Sequence, residues 1–441
     1  MSEPFINKLT LYNFKCYKEL TFPLKAGVNI LYGANGTGKT SLLEAINLAA
    51  SSFVDRLRIV EKRTFQLSDI RLETQKGVSY PLYQLPVTIK ATGTILNQPI
   101  SWSKILKKLP KLNASIDLTE PIYMGRNQHE QHQMMSELSE RVRTALLKQE
   151  EITLPIIAYF STQRLFNQRT HADHIVLDGR QAGYYNAFNA TNIRKQTELW
   201  FKKAEYEQYQ KRRVKPDFID HSLEDIRSLL LEHFEEWQHI YYLELPSDTG
   251  MSSCLYIVHQ DGHIMPETLL SDGYRNFLWL FLEIAWRCYM LNPFLGKNTF
   301  SETPGIITID EVDLHLHPKW QQRVLAVLHQ AFPKIQFVVT THSSLILSSV
   351  NAHVLMLYDD KILIQNKLYG MKPNYILENY MQIMDRLPEH QPLIQQYFHL
   401  INQEKGKSEE ALKLRKQLEN SLSMEVPLFT EADALIDFLS Y

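Results

Sequence analysis

The run Gly33-Ala34-Asn35-Gly36-Thr37-Gly38-Lys39-Thr40 constrains this chain more than any other segment. It satisfies G-x-x-x-x-G-K-[ST] between the two elements that such a loop needs. Val28–Tyr32 before it is a compact apolar run of strand character. Ser41–Ser51 after it carries Leu42, Leu43, Ala45, Ile46 and Leu48–Ala50, an apolar set dense enough for a helix packed on a sheet. Glycines let successive backbone N–H groups converge on phosphate oxygens, and the helix N-terminus adds a favourable dipole. On this reading Asn35, Gly36, Thr37, Gly38 and Ser41 line the phosphates of ATP. Lys39 supplies a point charge to the β and γ phosphates, and Thr40 offers its hydroxyl to Mg²⁺.

A second apolar run, Ile306–Ile309, ends in Asp310-Glu311. Strand alternation sends these carboxylates in different directions, so they can divide labour. Asp310 would complete the Mg²⁺ shell with Thr40, while Glu311 would polarise an attacking water beyond the γ-phosphate. Adjacent acids at a strand end are common, and it is the phosphate loop elsewhere that gives this pair its chemistry. Gly305–Ile309 and Ile335–Thr340 flank a Lys319–Phe332 helix, a βαβ reading that implies a parallel pair. The second of these strands leads through Thr340-Thr341 to His342, where a histidine can hydrogen-bond the γ-phosphate.

The remainder is alternately strand-like and helical. Leu57 to about Trp102 reads as a small antiparallel layer, and Met134, Leu138, Val142 and Leu146 mark a helical stripe. Leu154–Phe160 is a buried strand, and Ile193–Pro216 a polar helix rich in bases. Tyr241–Leu245 and Leu255–His259 return to strand, and Leu270–Leu291 is a strongly apolar helix. A chain of 441 residues with 44% hydrophobic content can build a sizeable core at about 150 residues per domain. The fold class expected is α/β. Cys16, Cys254 and Cys288 form no CxxC, which suits a reducing compartment. The most apolar stretch, Asn276–Leu295, is interrupted by Glu283 and Arg287, and Met1–Thr10 is no signal peptide. A cytoplasmic protein with no membrane partner is expected.

Together, Asn13-Phe14-Lys15, the Asn35 form of the phosphate loop with Glu44 behind it, Asp310-Glu311, Asp313-Leu314-His315-Leu316-His317-Pro318 and His342 resemble the ABC-type ATPases of the SMC/RecF-like branch. The resemblance implies an ABC-ATPase head with a mixed sheet and an antiparallel β layer, plus a helical insertion and a helical C-terminal tail. Lobe I would span 1–165, the insertion 166–240, lobe II 241–370 and the helical C-terminal region 371–441. It further implies a homodimer or higher homo-oligomer, in which the signature segment of one protomer faces the ATP of another. Here that segment is Leu270-Ser271-Asp272-Gly273-Tyr274-Arg275. Ser271 and Gly273 carry over as contacts to the partner's nucleotide, and Asp313 matches a dimer-contacting aspartate. Asp272 and Tyr274 depart from the family pattern, and Gln66 and Gln163 are both candidates for its glutamine loop.

Leu291-Asn292-Pro293, the Asp313–Trp320 run and the Tyr369–Leu377 tail look like the Septu and retron-associated ATPases of prokaryotic anti-phage systems. That resemblance implies a separately encoded effector, of HNH-nuclease type. The alternative is a RecF-like DNA-repair ATPase that binds DNA directly. A formal net charge of -2 neither demands nor excludes such a partner, so any DNA binding must come from a local patch. Lys202, Lys203, Lys211, Arg212 and Arg213, with Tyr206 and Tyr209 available for stacking, form either such an arm or a solvated helix face interleaved with Glu198, Glu205 and Glu207. His315 with His317, and His171-Ala172-Asp173-His174, imitate metal clusters but read as a turn and a polar loop. No D-x-D follows His342, where Asp359-Asp360 reads as a turn, so no nuclease is expected within the chain. Leu412, Leu418 and Leu422 mark a C-terminal helix face that serves either core or docking.

Overall fold

Six strands form the central sheet, numbered here in chain order: β1 (Val28–Gly33), β2 (Ile156–Phe160), β3 (Gly305–Ile309), β4 (Ile335–Thr340), β5 (His353–Tyr358) and β6 (Lys361–Gln365). Their spatial order is β6-β5-β1-β4-β3-β2, parallel throughout except for the antiparallel edge strand β6. β2, β3 and β4 are buried along their whole length and β1 along all but its last residue. Continuous apolar runs of this kind belong to parallel strands covered on both faces. The computed structural model describes residues 3–57, 63–74, 80–109, 126–165, 179–188, 193–247, 250–358, 361–365, 368–381, 390–422 and 427–439.

The antiparallel layer is four-stranded, in the order Tyr17–Pro23, Lys8–Phe14, Val87–Ile95, Gln98–Leu106. The sequence placed this layer between Leu57 and Trp102, but the opening hairpin supplies half of it. The turn between the first two strands is tight because Asn13 and Lys15 take left-handed backbones, at φ 50° and 49°. The Lys39–Leu57 helix runs between the two sheets, which is why it is apolar on most sides. Trp102 Nε1 donates to the Ala49 carbonyl at 2.9 Å from one side, and Thr308 Oγ1 donates to Asn47 Oδ1 at 2.7 Å from the other.

Between β2 and β3 come the helices Ile193–Val214 and His221–His233, then a three-stranded antiparallel sheet, Trp237–Ser247 with Gly250–His259 and Ile264–Pro266. Asp220 caps the second helix, accepting from Ser222 N at 3.0 Å and Leu223 N at 3.3 Å. The Asp272–Leu291 helix is buried on nearly every side, and that accounts for its apolar sequence. Its two buried charges pair with each other: Arg287 meets Glu283 at 2.9 Å and donates to the carbonyls of Gly183 and Tyr185 at 2.7 and 3.0 Å. Burial pushes the Glu283 carboxyl up to about 7, and Arg287 works against that rise. No helix among the described residues is long and apolar enough to cross a membrane.

Two expectations shift in detail. In the Arg126–Leu147 helix the buried stripe is Met135, Leu138, Val142 and Ala145, while Met134 is exposed. The helix between β3 and β4 is broken into Pro318–Gln321 and Val324–Ala331. Residues Met371–Tyr441 form a unit of their own, in which Tyr397, Ile401, Ala411, Leu418, Leu428, Phe429 and Ala432 make a small helical core. Leu418 belongs to that core and Leu412 is exposed.

Asn292, fully buried at the end of the Asp272–Leu291 helix, anchors the approach to β2. Its Oδ1 accepts from Leu154 N at 2.7 Å, and its Nδ2 donates to Leu154 O at 2.9 Å and Thr303 Oγ1 at 3.0 Å. Asn292→Ala strands a buried N–H and a buried C=O together. It is expected to cost about 2–4 kcal/mol, measured as a lowered thermal midpoint of the purified chain.

Candidate functional site

The parallel register brings four chain segments to the carboxyl edge of the sheet. Leu31 is level with Thr340, and Ile309 with both Val339 and Phe160. One step further along, Asp310 stands level with Thr340 and Ser161. Gly33 and the loop after it come level with His342. The phosphate loop, the two acids, the histidine and the turn after β2 thus emerge side by side, at the edge where open α/β sheets bind ligands.

Gly36 and Gly38 take left-handed backbones, at φ 81° and 88°, which turn the loop back onto the helix. Apart from its chain neighbours, no atom of the described residues lies within 4 Å of the point that a Cβ on Gly36 would occupy, so the loop is open there. Gly38 is the reverse case, where a Cβ would collide with the Tyr17 hydroxyl and the Cys16 thiol. Tyr17 Oη donates to the Thr37 carbonyl at 3.0 Å, so the opening hairpin holds the loop from the side. The hairpin is itself tied down by Lys15, whose ammonium pairs with Glu44 and lies 3.7 Å from Asp69. Lys39 is buried and donates to the loop carbonyls of Gly33 and Ala34 at 2.8 and 2.9 Å. Burial pushes its ammonium below the ordinary lysine range, while Asp310, Glu311 and Asp313 pull it back up.

Thr40 Oγ1 donates to Asp310 Oδ2 at 3.0 Å across a separation of 270 residues. The other carboxylate oxygen of Asp310 accepts from Thr340 Oγ1 at 2.6 Å, and Thr340 Oγ1 accepts in turn from the N–H of Glu311 at 2.7 Å. The contact follows from two periodicities. Thr308 and Asp310 share one face of β3, and Asn47 and Thr40 lie about two turns apart on one face of the helix, so each pair meets. Glu311 is half-buried with φ 48°. Asp313 Oδ1 is buried without a hydrogen-bond partner among the described residues. His342 is exposed at the end of β4. Ser41 is half-buried in the first turn of the loop helix.

The structure also brings in Arg164, which no sequence motif singles out. From the turn after β2 its guanidinium donates to the carbonyls of Asp310 at 2.6 Å, Glu311 at 2.7 Å and Ser161 at 3.0 Å. Burial pushes it down to about 10, opposed by Asp310, Glu311 and Asp313.

The signature segment starts the Asp272–Leu291 helix. Ser271 is exposed at the N-cap with no capping bond from its side chain, and Asp272 pairs with Arg275 at 2.8 Å. Gly273 is buried, and a Cβ there would collide with the His315 carbonyl of the same chain. The close approach of two backbones therefore requires glycine at this position within one protomer. His317 Nδ1 accepts from Lys319 N at 3.3 Å and caps the short helix after it. Gln66 N donates to Asp69 at 2.9 Å. The His171–His174 and Asp359-Asp360 runs, and the Gln163 side chain, lie outside the described residues.

A family model described as an AAA domain matches residues 8–236, and a second AAA-domain model, described with a type IV toxin–antitoxin system, matches 136–348. The "Retron Ec83 probable ATPase" of Escherichia coli is 27% identical over 92% of this chain and 81% of its own length. The Septu protein PtuA of Bacillus mycoides is 25% identical over 90% of this chain and 48% of its own length. Among solved structures, the SMC head domain from Thermotoga maritima is 14% identical, covering 82% of this chain and 98% of that one with a TM-score of 0.42.

Gly38→Ala combines a forbidden backbone angle with a collision against Tyr17. It is expected to weaken binding of a fluorescent ATP analogue by about tenfold or more, while the thermal midpoint of the nucleotide-free chain moves little.

Proposed function

The chain belongs to the AAA-domain family and is an ATPase, and from that premise we propose that it is the ABC-type subunit of a prokaryotic anti-phage defence complex. ATP-dependent dimerisation would control a separately encoded effector, an HNH-type nuclease. The observation that carries the ATPase mechanism is the contact between Thr40 and Asp310, which joins the phosphate loop to the acid strand at one sheet edge. The retron and Septu names of the relatives support the defence role.

In this reading Asn35 to Ser41 hold the phosphates of ATP, with Lys39 moving from its loop carbonyls to the β and γ oxygens. The donor set fits Mg²⁺: a hydroxyl and a carboxylate are hard oxygen ligands already in contact, and Gly36 leaves open space above the loop. Thr40 and Asp310 would hold the ion, which supplies positive charge against the phosphate oxygens. Glu311 polarises the attacking water and His342 hydrogen-bonds the γ-phosphate. Ser271, Gly273 and Asp313 belong to the contact with a second copy. Of these, Ser271 is the group whose exposure suits it to reach a partner's nucleotide.

The RecF-like alternative rests on the exposed end of the Ile193–Val214 helix, where Tyr206 and Tyr209 accompany Lys211, Arg212 and Arg213. Those cations are engaged locally. Lys211 lies 3.5 Å from Glu207, Arg212 Nε donates to the Phe218 carbonyl at 2.9 Å, and Arg213 packs 5.0 Å from the Tyr209 ring. This favours the solvated-helix reading, and salt-sensitive DNA binding that is lost on replacing Arg212 and Arg213 would reverse the preference.

Glu311→Gln is expected to lower the hydrolysis rate about 10²- to 10⁴-fold with ATP affinity retained, and parent-like turnover would remove Glu311 from its role. Sedimentation of the same variant with Mg·ATP is expected to show a dimer. Adding Ser271→Arg should return it to monomer without loss of ATP binding, whereas a persistent dimer would exclude the signature contact.

A further inference from the structure

We propose that Arg164 is a positioning residue, one that holds the backbone from which the Glu311 carboxylate departs. The inference rests on the role given to Glu311 above and names the group that keeps it in place. Strand β3 ends at Ile309 and its last ladder bond to β2 is from the Asp310 N–H to the Phe160 carbonyl at 2.8 Å; beyond that bond, side chains supply much of what holds the Asp310 carbonyl and the Glu311 peptide groups. Glu311 adopts φ 48°, an unfavourable angle for a residue with a Cβ, and such a conformation persists only where its surroundings over-determine it. On one side, the N–H of Glu311 donates to Thr340 Oγ1 at 2.7 Å. On the other, its carbonyl accepts from Arg164 Nη2 at 2.7 Å and from the Leu314 N–H at 3.1 Å, and the preceding carbonyl of Asp310 accepts from Arg164 Nη1 at 2.6 Å.

The guanidinium therefore spans the two carbonyls that flank the left-handed residue. A planar fork with donors at fixed spacing can do this, whereas an ammonium is a compact point charge that cannot copy that geometry. Nη1 also donates to Ser161 O at 3.0 Å within its own turn, which fixes the fork relative to β2. The register places it there, since Phe160 pairs with Ile309 and the turn after β2 must run beside the residues after β3. The competing account makes Arg164 a mere counter-charge for Asp310, Glu311 and Asp313. That account predicts that lysine serves as well as arginine.

The test uses the full-length chain with Arg164→Lys in two backgrounds, parent and Glu311→Gln, read by single-turnover ATP hydrolysis, ATP-analogue affinity and thermal midpoint. In the parent background the hydrolysis rate is expected to fall on the order of 10- to 100-fold, with affinity changed by less than about threefold. In the Glu311→Gln background the same substitution is expected to produce no further slowing, because its effect passes through Glu311. Parent-like turnover of Arg164→Lys overturns the proposal, as does an equal loss in both backgrounds or a loss of affinity that accounts for the rate. If Arg164→Lys does not fold, Arg164→Gln is read by the comparison of backgrounds alone: loss of positioning slows only the parent, whereas loss of a counter-charge for Asp310 and Asp313 acts in both backgrounds and overturns the proposal. If Glu311→Gln hydrolyses ATP like the parent, the role of Glu311 falls and the role of Arg164 through it falls with it. A slow Glu311→Gln beside an unaffected Arg164→Lys removes only the role of Arg164.

Discussion

The hydrogen bond from Thr40 to Asp310 closes a gap of 270 residues, and most of the architecture can be read as what is required to make it. Neither residue can approach the other through local structure. The approach needs β1, β4 and β3 side by side in parallel register, and a loop helix lying across β3 at an angle that lets Thr40 and Asn47 meet Asp310 and Thr308. Parallel strands cannot be joined by tight turns, so each connection is long enough to carry helices or a further sheet. The three-stranded sheet and the Ile193–Val214 and His221–His233 helices all occupy one such connection, between β2 and β3. They can be elaborate there because the register of the sheet, and not their own geometry, fixes the site.

The site is rich in buried polar groups, and each must have a partner to be tolerated in a low-dielectric interior. Asp310 is satisfied by two hydroxyls, from Thr40 and Thr340, and its carbonyl by Arg164. Lys39 satisfies itself on the carbonyls of its own loop, an arrangement that a phosphate can replace without stranding a charge. Arg164 and Lys39 together offset the negative charge of Asp310, Glu311 and Asp313. Asp313 Oδ1, which has no hydrogen-bond partner among the described residues, is one exception, and it falls at a position for which the family resemblance implies contact with a second copy.

What the sequence made legible was what depends on spacing along the chain. The phosphate loop needs a strand before it and a helix after it, all within a short window, and Asp310-Glu311 needs only an apolar strand before it. Arg164 was not legible because a single arginine after a strand has no local signature, and its partners are backbone carbonyls nearly 150 residues away. The available signal was positional: Leu154–Phe160 is a buried strand, and the residues just beyond the carboxyl end of a buried strand border the site. The place of the opening hairpin in the antiparallel layer had no local signal, since pairing between Lys8–Phe14 and Val87–Ile95 is a long-range fact. The stripe that begins at Met134 slipped by one residue at each end. Met134 and Met135 are identical in type, so periodicity alone had no means of choosing between them.

Gly273 shows how two motifs with separate sequence signatures become one mechanical part. A Cβ at this position would collide with the His315 carbonyl, so the start of the Asp272–Leu291 helix rests directly on the backbone of the segment that follows Glu311. That segment touches Thr40 through Asp310 at one end and Gly273 at the other, and it is tied to β4 by the Val312 N–H to the Thr340 carbonyl at 3.0 Å. Asp310 and the helix that presents Ser271 on the surface are thus joined by a few residues of continuous backbone contact. The same helix start also adjoins Glu267, a buried carboxylate 2.6 Å from Arg194 and 3.9 Å from Arg275. The Ile193–Val214 helix thus meets the signature segment through Glu267, the Phe234 and Trp237 rings pack 5.9 and 5.6 Å from Tyr274, and the segment after the two acids meets it at Gly273. Close-packed backbones of this kind have discrete seatings instead of a continuous range. Under the proposed dimerisation, a change of contacts at the phosphate loop would reach the signature segment through these few contacts, without any large motion of the sheet.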